Sequence, residues 1–216
     1  IKRYSYDWAN LWLIWVPWHV PLHNDTSIQG ASERAEKAFQ PHYPALYNPL
    51  LAYKKELSAR NKAETGIRYE WYALQRWGAN YWEDFFKPKV MYPNMTKYIP
   101  FYYDTCGFYQ NDKSFMITGR HIAFLTAFLN SSIFKFCFLN NFPELQGGTR
   151  ELRKVFFDKI PVIQIDDKLN EQFASLISDM QNNPTVEKAK SIDELLFDVY
   201  GLTDTERDVI GFIVIQ

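Results

Sequence analysis

Residues 89–118 hold four short runs, VMYP, IPFYYD, GFYQN and SFMIT, rich in aromatic or β-branched side chains and separated by Pro, Asn, Asp and Gly. Runs this short do not make an ordinary helix, and their residues suit a pleated, half-buried surface. With turn residues at 104–107 and 111–113, the spacing predicts consecutive strands in an antiparallel meander. Pro88, between Lys87 and Lys89, holds the backbone extended ahead of the first run. The residues from 62 onward are aromatic-dense and net-basic, so 62–119 reads as a surface made to lie against something flat and negatively charged.

Helical patterns flank this stretch. Ser32 suits the N-cap of ERAEKAF, and Leu46, Leu50, Leu51 and Leu57 fit a helix from about 43 to 60, with Pro44 in its first turn and Pro49 as a kink. Residues 68–82 form a second candidate, with Trp71, Leu74, Tyr81 and Trp82 as core residues and Arg68, Gln75 and Arg76 on another face. From His121 the period is helical again, broken and recapped at Asn130-Ser131-Ser132 before IFKFCFLNNF. After Pro161 come two amphipathic helices and a third capped by Thr203. Near the start, YSYDW and LWLIWV are β-prone until Pro17 and Pro21. The expected fold class is α+β: an antiparallel-sheet core in 1–163 with flanking helices, and a C-terminal helical arm in 164–216.

The charge is segregated. Residues 54–97 carry nine Lys/Arg against five acids, 113–163 seven against three, and 164–216 four against eleven. That predicts one basic face and an acidic appendage turned away from it. Cys106 and Cys137 fit neither a metal motif nor a disulfide framework, which favours a reducing cytoplasm. The start has no signal-peptide pattern, and no apolar run reaches the roughly 18 residues of a membrane span. The expectation is a soluble, cytoplasmic chain with no membrane partner; beginning at Ile1, it reads as a piece of something longer.

Catalytic patterns are missing. GxSxG, HExxH, CxxC and Gly-rich cofactor frames are absent, as is the adenine-methyltransferase phrase of Asn or Asp, two prolines and an aromatic. His19 and His23 have metal-like spacing, but Pro21 between them disfavours the helix that would align them. Asp166 and Asp167 beside Lys168 read as a helix N-terminus. No catalytic or metal-binding residue is assigned. The basic loop Gln146-Gly147-Gly148-Thr149-Arg150 fits either a helix-ending turn or a phosphate contact, and lacks the P-loop frame.

Several phrases in one order carry a resemblance: IKRYSYDWANLWLI, NKAETGIRYEWYALQRW, KPKVMYPNM, FYYD then GFY, SFMITG, AFLNSSIF, GGTR with KIPV, and IDELLFDVYGLTDTE. Together they resemble the TaqI-like target recognition domain of adenine-specific DNA methyltransferases and type IIG restriction-modification enzymes. The resemblance implies a domain that reads duplex DNA for a methyltransferase domain N-terminal to it on the same polypeptide. It implies no cofactor in this chain, S-adenosylmethionine for the parent, and Mg²⁺ where an endonuclease is fused.

On that reading, phosphate contacts fall to Arg60, Lys62, Arg68, Lys87, Lys89, Lys97, Arg150 and Arg153, with Gly148 and Thr149 letting the backbone approach. Base readout falls to the forked or amide side chains of Gln75, Arg76, Asn94, Gln110 and Asn111, each good bidentate pair discriminating by roughly 1–3 kcal/mol. Two rival readings are a protein-interaction module of a multi-subunit phage-defence methyltransferase system, and a carbohydrate- or nucleotide-binding enzyme suggested by the Trp and Tyr content. The second lacks identifiable paired carboxylates.

Overall fold

The computed structural model describes residues 1–60 and 68–212. The chain is α+β, and it divides into two compact units: residues 1–10 with 83–216, and residues 11–82.

The larger unit is built on β1 (Lys89–Pro93), whose first four residues are all buried. It lies centrally, antiparallel to β3 (Tyr102–Asp104) on one side and β4 (Ser114–Ile117) on the other, with Val90 opposite both Tyr103 and Ile117. This is not the expected meander, because β3 and β4 each pair with β1 and not with one another. GFYQN is not a strand either. Phe108 packs on Tyr6 and Tyr109 stacks on Phe85, with ring centroids 4.9 and 4.5 Å apart, so these side chains anchor a loop. The expected turns do form: Asp104 accepts the N–H groups of Cys106 and Phe108 (2.8 and 2.9 Å), and Asn111 accepts that of Lys113 (3.0 Å). A two-residue strand, β2 (Met95–Thr96), pairs with β5 (Arg150–Glu151).

Behind the sheet lies α4 (Ile122–Leu129), buried at seven of its eight positions, as a central core helix must be. Ser131 caps α5 (Ser132–Asn141) by accepting from the Phe134 N–H, so the Asn-Ser-Ser break acts as expected. Phe134 is fully buried, with the rings of Phe101, Phe138, Phe142 and Phe157 at 5.4–6.1 Å. The short helix α6 (Lys154–Phe157) supplies the last of these.

The acidic tail is not separate from this core. In α7 (Asp167–Asn182) and α8 (Val186–Val199), Phe173, Ile177, Met180, Ile192, Leu196 and Phe197 are buried in the same cluster as Phe124 and Phe128. A third helix, α9 (Asp204–Ile210), begins with a capping box between Thr203 and Glu206. The charge pattern changes at residue 163, but the compact units divide at 10/11 and 82/83. Among the described residues no single helix is long and apolar enough to cross a membrane.

The smaller unit has α1 (Glu33–His42), capped by Ser32, then α2 (Pro44–Leu51) and α3 (Lys54–Ser58). Residues 43–60 are therefore two short helices and not one; Pro49 lies inside α2, which ends two residues later. The helix expected over 68–82 does not form. Residues 69–73 are all buried, a continuous run that no amphipathic helix presents. Side chains from elsewhere hold two of their carbonyls and the next one: Arg60 donates to those of Trp71 and Ala73 (both 2.8 Å), and the Trp18 indole donates to that of the adjacent Leu74 (2.7 Å).

Candidate nucleic-acid interface

In the smaller unit a groove of about 1000 Å³ collects Arg68, Gln75 and Arg76, beside His23 and Asn24. Its walls are Trp15, Trp18, Trp77 and Trp82. Two short segments hold the rings in place. The Leu74 N–H donates to the Val16 carbonyl (2.8 Å), and the Trp15 indole donates to that of Trp77 (3.3 Å). Trp15 then lies 5.8 Å from Trp77 edge-on and 5.1 Å from Trp82, while one face of Trp18 is stacked on Tyr69. Sequence periodicity put Arg68, Gln75 and Arg76 on one helix face; the structure brings them together on a loop instead.

Arg60 is used differently. Besides its two bonds above, its Nε donates to the Leu57 carbonyl at 3.0 Å, so the guanidinium is a strut of the fold. Lys62 lies outside the described residues.

His19, the other half of the metal-like pair, faces Glu70: its backbone N–H and Nδ1 lie 2.7 and 2.8 Å from that carboxylate. The Ser32 N–H donates to the same carboxylate at 3.0 Å, tying the start of α1 to the buried segment.

In the larger unit the sheet sorts the remaining residues. Lys89 is completely buried, ion-paired with Asp104 and donating to the Phe85 carbonyl at 2.7 Å. It cannot reach a phosphate, which corrects its assignment as a contact. Arg150 is also largely withdrawn: its side chain is 11% exposed, its Nε donates to the Phe142 carbonyl (2.9 Å), and its guanidinium pairs with Glu144 (3.2 Å). It closes the loop in which Gly147 and Gly148 adopt φ of 75° and 78° and Thr149 donates to the Gln146 carbonyl.

Asn94 is a joint. Its N–H donates to the Lys113 carbonyl and its carbonyl accepts from the Leu152 N–H, both at 2.8 Å. The end of β1, the start of β4 and the end of β5 therefore meet at one residue. Lys97, Lys113 and Arg153 project beside that joint, all exposed. Lys113 was not singled out by sequence, where a lysine next to Asp112 in a turn looks like ordinary solvated charge. The side-chain oxygens of Asn94 and Gln110 are buried without a partner among the described residues. Asn111 is exposed in its turn. Lys87 is exposed as well, and the hydrogen-bonded Asp84 carboxylate holds its pKa above the ordinary lysine range.

The acidic tail leaves these cations alone. Among the described residues its acids pair with its own Lys188, Lys190 and Arg207, and with Arg120 and His121. Arg153 pairs locally with Glu151 and Lys113 with Asp112.

No curated protein sequence matches the chain. The model of one family, described as the TaqI-like C-terminal specificity domain, matches residues 1–162. The match ends beside the change of charge at 163, and it covers the groove, the three-stranded sheet and the β2–β5 ribbon alike. By that match the chain belongs to the TaqI-like C-terminal specificity domain family, the DNA-recognition module of restriction-modification enzymes.

Proposed function

We propose that this module reads a specific duplex sequence and presents it to an adenine methyltransferase N-terminal to it on the same polypeptide, with or without a fused endonuclease, in the cytoplasm. S-adenosylmethionine supplies the methyl group in that partner domain, and Mg²⁺ serves a nuclease where one is fused; no residue of this chain is assigned to either. The observation that carries the reading is the set of exposed cations, Lys97, Lys113 and Arg153, gathered at the Asn94 joint and left unpaired by the acidic tail.

Phosphate contacts of this kind fix register and supply the salt-dependent share of affinity. Lys87 extends the same role, and Arg76 and Asn111 carry donors suited to base edges. Asn94 and Gln110 bury their side-chain oxygens out of reach of a base, which leaves their amide N–H groups as the donors for base edges. Alone, the module binds weakly and with little sequence preference, with Kd on the order of 10⁻⁴–10⁻⁶ M at physiological salt. Only the partner domain completes the clamp that offsets the few kcal/mol of unstacking a target base.

The test is duplex binding across a salt series. Lys97→Glu and Arg153→Glu each lower the slope of log K against log salt by about one. Slopes identical to that of the unaltered chain in both variants overturn the assigned face. Sequencing modified adenines in plasmid DNA after treatment with the full-length parent identifies the target. A second reading, docking of another protein subunit, is favoured by Leu11 and Trp12, which are 77% and 87% exposed. It predicts binding that is insensitive to salt.

A further inference from the structure

The groove of the smaller unit differs chemically from the cationic joint of the larger one. Its walls are aromatic rings: the indoles of Trp15, Trp18, Trp77 and Trp82, all half-buried, and the exposed phenol of Tyr81. A duplex hides its base faces in the stack and offers edges and phosphates, so a row of rings gains little from it. An unpaired nucleotide offers a flat face, which stacks on an aromatic ring for roughly 1–3 kcal/mol per base whatever the sequence. At about 1000 Å³ the groove is open and stands at the top of the size range for ligand sites, ample for more than one nucleotide.

The polar groups fit the same ligand. Among the described residues the side chains of Arg68, Gln75, His23 and Asn24 make no hydrogen bond or ion pair, although all four line the groove. Among the described residues no acidic side chain lines it. An arginine matches a backbone phosphate, and the two amides match the Watson–Crick edge that pairing would otherwise occupy.

We propose that this groove holds a short unpaired stretch of DNA strand, stacked on the tryptophans, with Arg68 on its phosphate and Gln75 and Asn24 on base edges. The inference rests on the DNA-recognition reading and adds the state of the DNA that the smaller unit takes. Methyl transfer to a duplex adenine requires that base to leave the stack. A site for unpaired nucleotides on the recognition module gives the strand opened at that moment somewhere to lie.

The experiment titrates the full chain with a short oligothymidylate and, separately, with a fully paired duplex, following tryptophan emission and anisotropy of a labelled strand. The expected result is saturable binding of oligothymidylate with quenched emission. Arg68→Glu weakens it at least tenfold and Gln75→Ala severalfold, while duplex binding by the Lys97 and Arg153 face changes less. Neither substituted side chain holds the fold together, and circular dichroism verifies folding; Trp77→Phe, which keeps a ring, retains most of the affinity. Duplex binding without oligothymidylate binding overturns this inference and leaves the recognition reading standing. Oligothymidylate binding indifferent to both substitutions overturns the assignment to the groove. Thymidine monophosphate binding as tightly as the oligomer overturns the strand as occupant. Failure of both DNAs to bind removes the recognition reading as well.

Discussion

Lys89 and Asp104 stand opposite each other where β1 meets β3, and neither side chain has any exposure. Removing one partner of such a pair strands the other as a buried charge. Lys89→Met is therefore expected to destabilise the fold by about 3–5 kcal/mol in urea unfolding, with DNA affinity per folded molecule unchanged. Nothing near Lys89 in the sequence marks it as buried; a lysine after a proline looks solvated, and the residue that pulls it inward arrives only with β3. Glu36 is the corresponding hub of the smaller unit, where Tyr47, Lys54 and Trp71 donate to one carboxylate oxygen at 2.7–2.9 Å. Partial burial acts to raise its pKa, but those hydrogen bonds outweigh burial and hold it below the ordinary glutamate range. A depressed folded pKa contributes stability that is complete above the unfolded value, about 4.3, and is lost as pH falls through the folded one. Acid titration followed by tryptophan emission should show this unit loosening below about pH 4. Glu36→Gln should flatten that acid dependence while lowering stability at neutral pH.

Elements set by short-range chemistry are legible in the sequence. VMYP and SFMIT became β1 and β4, Ser32, Ser131 and Thr203 cap helices as expected, and the apolar stripe after His121 became the core helix α4. Where long-range contacts decide, sequence pattern fails. Residues 68–82 have helical spacing of large side chains, yet the Trp15 and Trp18 indoles and the Arg60 guanidinium claim their carbonyls. The candidate site shows the same division. The basic and amide residues were identifiable as types, but Lys89 and Arg150 went to structure and Lys113 came to the surface beside Asn94. The Gly147-Gly148 turn yields a prediction at this scale. A Cβ at Gly148 meets nothing within 4 Å, so Gly148→Ala acts through its positive φ alone. It should cost about 1–2 kcal/mol in thermal unfolding, and Gly148→Asn, which tolerates that conformation better, should recover part of it.

Over the whole molecule, the tail is acidic on its surface and structural beneath it. Six large side chains of α7 and α8 lie in the common core, and burying each contributes roughly 1.5–3 kcal/mol. Their sum, about 9–18 kcal/mol, is comparable to the whole 5–15 kcal/mol that holds an ordinary domain folded. A chain ended at residue 163 should therefore lose the cooperative unfolding transition and bind a hydrophobic dye; a sharp transition in that truncated chain would show that the sheet and α4 suffice alone. This matters to anyone exchanging target specificity between enzymes. A family match that stops at residue 162 invites a splice there, yet such a splice would mate the incoming sheet and α4 with foreign α7 and α8 side chains. The transplantable piece has to carry its own helices through at least Phe197, and chimaeras built so should keep the recipient's expression level where shorter ones precipitate.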